Sequence, residues 1–173
     1  MNMLTSRTLA IASGLLIGIG AARAAWTAGD APNPDLPGRR VDIHADGELV
    51  ARLIHGDGQI KPYLHVFGQS GDCLTEWGAE QKYPHHRGIF IGWNKIASEL
   101  GVVDLWHLNR GGSMRVVRFE AIEGGPDAAR LVAGVAWRGV AKEGGDDLLR
   151  TATRTLVVYR PRPGSTPVDA RLS

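Results

Sequence analysis

Arg39-Arg40-Val41-Asp42-Ile43-His44-Ala45-Asp46-Gly47-Glu48-Leu49-Val50-Ala51-Arg52-Leu53 is the stretch whose reading decides the fold. Val41, Ile43 and Ala45 alternate with Asp42, His44 and Asp46, and Leu49, Ala51 and Leu53 alternate with Val50 and Arg52. Period two puts the apolar set on one face of a strand. Asp46-Gly47 between the two runs fits a type I′ turn, which needs positive φ at both central residues, so two antiparallel strands are predicted. His44 and His55, within and at the end of these strands, read as surface histidines.

Outward from the hairpin the pattern repeats. Gly56-Asp57-Gly58 turns the chain into a strand over Ile60–Phe67, with Pro62 marking an edge or bulge because proline has no N–H to give to a ladder. Residues 72–84 show no period and read as a long functional loop. Ile89-Phe90-Ile91 reads as a buried strand, and Val102–His107, Arg115–Ile122, Ala129–Arg138 and Leu148–Arg160 as further strands; in Ala129–Arg138 one face holds Leu131, Ala133, Val135 and Trp137. Val168–Ser173 begins another. Beyond the leader no segment carries a helical period of ten or more residues, so the class is all-β, an antiparallel sandwich or barrel.

At the other end, Arg7, an apolar run over Leu9–Ala22 and Ala22-Arg23-Ala24 make residues 1–24 a secretory signal peptide cleaved after Ala24, which predicts a periplasmic or extracellular protein. Residues 25–38, with Pro32, Pro34 and Pro37, read as a linker, and 39–173 as one domain. Of the 20 Lys and Arg residues two, Arg7 and Arg23, lie in the leader, leaving 18 against 18 Asp and Glu. The mature chain therefore has no net basic field to recruit nucleic acid. No later apolar run is long enough to span a bilayer. Cys73 is the only cysteine, so no internal disulfide forms, and a nucleophilic role would need His65 or His85 as its base.

The chemistry concentrates in Tyr83-Pro84-His85-His86-Arg87-Gly88, a turn leading into an apolar segment. Histidine moves protons near neutral pH, carboxylates accept sugar hydroxyls, Arg or Lys faces developing negative charge, and an aromatic ring covers the apolar side of a pyranose. His85, His86, Arg87 and Asp104 are the catalytic candidates, and Lys61, His65, Trp93 and Trp106 the substrate-binding ones. Two other readings stay open. His65, His85 and His86 could hold a divalent transition metal, although their spacing matches no compact metal motif; or the histidine pair caps a turn and the tryptophans fill a core.

Lys61-Pro62-Tyr63-Leu64-His65, Pro84-His85-His86-Arg87-Gly88-Ile89 and Val103-Asp104-Leu105-Trp106, in that order, resemble the successive motifs of the PmoA-like family of exported bacterial proteins, often labelled methane oxygenase. The resemblance covers residues 39–173. It implies a galactose-mutarotase-like β-sandwich, a carbohydrate as partner, no required cofactor, and a site around Lys61, His65, His85, His86, Arg87 and Asp104. Members of that family continue with further strands, so on the resemblance the sandwich is expected to be incomplete. Methane oxidation by a membrane oxygenase would need several spans, which this chain does not have after its leader.

Overall fold

A computed structural model describes residues 25–77, 83–99, 101–107, 112–140, 146–159 and 168–172. The predicted leader over 1–24 lies outside them.

The described elements are ten antiparallel strands: β1 (Trp26–Pro32), β2 (Arg39–Ala45), β3 (Glu48–His55), β4 (Tyr63–Val66), β5 (Ile96–Ser98), β6 (Gly101–Val103), β7 (Ser113–Gly124), β8 (Ala128–Val140), β9 (Asp146–Tyr159) and β10 (Val168–Leu172). They form one sheet in the order β1-β2-β3-β4, a second in the order β10-β9-β8-β7, and the small ribbon β5-β6. The all-β class is that predicted from the alternation.

The hairpin forms as the Asp-Gly pair requires, with Ala45 opposite Glu48 and φ of 57° at Asp46 and 84° at Gly47. One detail departs from simple alternation. Ile43 pairs with Ala51 and His44 with Leu49, so Val50 is an extra residue in β3, a bulge that turns it against the core.

The two large sheets pack face to face. Val41, Ile43, Ala51, Leu53, Leu64 and Val66 of the first meet Leu131, Leu156 and Val158 of the second. Such an apolar layer between two sheets is the core of a sandwich. The predicted face of β8 is buried as expected, from Leu131 to Trp137.

Three expectations are corrected. Residues 25–38 are not a linker: β1 pairs along its whole length with β2, from Trp26↔Ala45 to Pro32↔Arg39, and Trp26 is 2% exposed in the core. The period of two is there, but after Trp26 it continues in Ala28, which is small, and Asp30, which is polar, so it does not stand out. The ladder offered by β2 supplies the rest. His55 is not a surface histidine. It is buried, its Nε2 lies 3.0 Å from Asp30 Oδ1, and its ring meets Phe119 edge-on at 5.1 Å. Ile89-Phe90-Ile91 is not a buried strand, since Ile89 makes a single bridge to Leu64 and stands 40% exposed. Gly88 and Gly92 bring the backbone close to Leu64 and Leu105, and the chain leaves the ladder between them.

Candidate functional site

The site is built on β4. Leu64 and Val66 of this strand enter the sandwich core, so alternation turns Tyr63 and His65 to the other face of the sheet. That face is covered by the long loop: Leu64 and Ile89 exchange backbone hydrogen bonds of 2.9 and 2.8 Å, and the Gly88 N–H donates to Glu76 O at 2.7 Å. Gly88 has φ of 49°, and a Cβ there would collide with the carbonyl of Leu64. A glycine is therefore what lets the His85–Arg87 turn lie against the strand.

The second wall is the turn after β6. Val103 and Leu105 are anchored among Met114, Val135 and Trp137 of the second sheet. Between them Asp104 ends the strand: its Oδ1 accepts the backbone N–H of Trp106 at 2.9 Å and of His107 at 2.8 Å, and its Oδ2 lies 2.8 Å from His107 Nδ1. Burial alone would raise the Asp104 carboxyl, but the His107 and Trp106 N–H groups and the His107 ring outweigh it and hold it below its ordinary value. An ionised carboxylate only accepts, so Nδ1 of His107 is the donor and, in the neutral ring, Nε2 is the acceptor.

Lys61 joins the two walls. Its Nζ donates to the carbonyls of His85 at 2.7 Å and Trp106 at 3.2 Å and sits 3.1 Å from the centre of the Phe90 ring. Burial, then the nearby Arg87 charge, pulls this amine down to about 7, against the opposing pull of Asp104. His85 is lowered by burial and then by His86, His107 and Lys61. Its ring meets His107 at 4.8 Å and His86 at 4.4 Å, both edge-on. Arg87 donates from Nε to Pro84 O at 3.1 Å, and its guanidinium lies 5.9 Å from the centre of the Tyr63 ring. Lys61, His85, Arg87 and His107 line a cavity of about 240 Å³, with Ile60, Tyr63 and Pro84 as its apolar wall.

Of the predicted site residues, this cavity gathers Lys61, His85 and Arg87, with Asp104 directly behind His107. The others fall elsewhere. His86 is exposed, stacked on Tyr83 at 5.0 Å, and does not line the cavity. Trp106 is partly exposed against Phe90 at 4.9 Å. Trp93 leans on Trp137 at 4.7 Å and lines a separate cavity of about 310 Å³ with Ile96 and Arg150.

His65 is fully buried and tilted over Trp77 at 3.8 Å, with Nδ1 at 2.8 Å from Thr75 Oγ1 and 3.5 Å from Cys73 Sγ. Burial and then Arg52 lower it to about 4, which leaves a neutral ring beside the cysteine. The ring contacts of His65 are with Tyr63 and Trp77, not with His85 or His86. Among the described residues no three His, Cys, Asp or Glu side chains come together as a metal-binding group, so the three-histidine set is not assembled.

Sequence reading notes His107 with Asp104 as flanking Trp106 but leaves it out of the site residues. Its signal was the spacing Asp104-x-x-His107, which on a tight turn folds an imidazole back onto the carboxylate.

No curated protein matches this chain. No solved structure matches it either. A protein-family model does, over residues 40–172, nearly the whole of the described sandwich. The chain belongs to the family that this model defines, a family of unknown function designated DUF6807.

Proposed function

We propose that the cavity between β4 and the Asp104 turn performs proton transfer on a carbohydrate. His107 acts as the base, Asp104 holds it, and Arg87 faces developing negative charge. The observation that carries this reading is the Asp104–His107 pair, a 2.8 Å contact between a buried carboxylate and an imidazole that lines a cavity. A carboxylate behind a histidine fixes its tautomer and supports the charge it gains with a proton. The size of the cavity suits one small ring, and its apolar wall beside nitrogen groups suits a pyranose, whose faces are apolar and whose rim is polar. The resemblance to exported PmoA-like proteins belongs to the same proposal and would put the reaction in the periplasm or outside the cell.

The test is turnover on a panel of monosaccharides and disaccharides, read by NMR in deuterated water so that proton exchange at ring carbons is seen. His107→Ala lowers kcat by about 10²- to 10⁴-fold. Asp104→Asn lowers kcat with KM nearly unchanged, and His86→Ala stays within a few-fold of the parent. Equal turnover by parent and His107→Ala would sink the reading.

One observation favours a second reading. Trp93, 48% exposed and backed by Trp137, is a ready face for stacking a sugar without chemistry. Saturable binding with no turnover, lost in Trp93→Ala, would select a carbohydrate-binding module instead.

A further inference from the structure

The polar lining of the cavity is one-sided. Lys61, His85, Arg87 and His107 all contribute nitrogen, and among the described residues no Asp or Glu lines it. The nearest carboxylate, Asp104, has both oxygens engaged by the His107 ring and by two backbone N–H groups. Among the described residues Arg87 has no ion pair: its guanidinium reaches neutral groups, the Pro84 carbonyl at 3.1 Å, Gln59 Oε1 at 3.5 Å and the Tyr63 hydroxyl. Among the described residues several arginines of the two large sheets do have a carboxylate, as in Arg39–Asp30, Arg52–Asp42, Arg118–Glu120 and Arg130–Glu123. A guanidinium left without an anion at the wall of a cavity is a planar fork of donors fitted to a carboxylate or a sulfate. A neutral sugar would leave that charge uncompensated in a confined space, whereas an acidic one would complete it.

We propose that the substrate is an acidic sugar whose anionic group, the carboxylate of a uronic acid or a sulfate ester, pairs with Arg87. The inference rests on the carbohydrate reading above and narrows it. It also gives the base a task. With the carboxylate of a uronic acid neutralised by Arg87, the hydrogen on the adjacent carbon becomes the most acidic carbon-bound hydrogen of the ring, within reach of a histidine base in the same cavity.

The experiment is isothermal titration calorimetry of the whole chain at low ionic strength with glucuronate, galacturonate, glucose 6-sulfate, and neutral glucose and galactose. At least one anionic sugar is expected to bind about tenfold to a hundredfold more tightly than its neutral counterpart, the range of one charge-assisted pair. That margin disappears in Arg87→Gln, while Arg87→Lys keeps part of it; a melting curve on each variant shows that it is folded. Tightest binding by a uronate names the carboxylate as the source, and by the sulfate ester names the sulfate; either supports the proposal. Neutral sugars binding as tightly as acidic ones, or a margin untouched by Arg87→Gln, overturns it and leaves the carbohydrate reading standing. No binding by any of the sugars overturns both.

Discussion

A single buried histidine sets how this protein meets acid. His65 titrates near 4 in the fold against an ordinary value of 6.5, because the interior disfavours its charged form. Between those two values the unfolded chain binds a proton that the native one refuses. The stability His65 contributes is therefore complete above pH 6.5 and is lost as the pH falls toward 4. Urea unfolding at pH 7.0 and pH 4.5 is expected to differ by about 2–3 kcal/mol on this account, and His65→Asn, which keeps a polar partner for Thr75, flattens the difference. An unchanged slope in that variant would show that another group controls the acid limb. Lys61 acts with the same sign higher up the scale. Its amine falls from 10.5 to about 7 on folding, so stability rises as the pH climbs through that interval. Neither effect was visible in the sequence. Lys61-Pro62-Tyr63-Leu64-His65 names the residues, and only the loop laid over them takes their charges out of water.

At the scale of the element, the decisive contact is the seating of the 83–92 loop on the edge strand β4. Loops carry function when a rigid neighbour fixes them, and here the fixing is done by the Leu64–Ile89 bridge and by the close approach of Gly88. Gly88→Ala combines an unfavourable positive φ with a collision at the Leu64 carbonyl and is expected to cost about 1–3 kcal/mol. The larger effect is on the site, because His85 and Arg87 move with the loop while Asp104 and His107 stay on theirs. On the carbohydrate proposal the variant is therefore expected to lose sugar binding before it loses its cooperative melt, which calorimetry and circular dichroism on the same sample will separate. A variant that binds as the parent does would mean that the loop is held from elsewhere. The importance of Tyr83–Gly88 was legible in the sequence, since two imidazoles and a guanidinium crowd one turn. Which of them faces inward was not. His85 and Arg87 line the cavity and His86 does not, because the Leu64–Ile89 and Trp77–Arg87 bridges and one glycine set the angle of the turn.

At the scale of the whole molecule, the described part of the sandwich buries a charge in its inward face. The inward row of β9 reads Ala152, Arg154, Leu156, Val158, and Arg154 is 4% exposed with Nε and Nη2 lacking any hydrogen-bond partner. Burial lowers its guanidinium to about 10, so it is a buried cation at neutral pH. An unsatisfied buried charge costs stability that a flexible apolar side chain of similar length does not. Arg154→Met is expected to stabilise the fold by about 1–3 kcal/mol, read as a higher urea midpoint at unchanged slope. Destabilisation would reveal an anion that neutralises Arg154 in solution.

The same strand marks the boundary between what the sequence determined and what tertiary structure decided. Alternation along Val41–Leu53 and Ala129–Arg138 and the Asp46-Gly47 turn settled the all-β class, because the side-chain period and the φ values of a turn depend on residues next to one another. The pairing of β1 with β2, the burial of His55 against Asp30, the parting of Trp93 from the cavity and the seating of His107 beside His85 were decided by the packed sheets. Apart from the β1–β2 ladder, those contacts join residues more than twenty positions apart, and only the packing of the tertiary structure chooses between equally plausible partners.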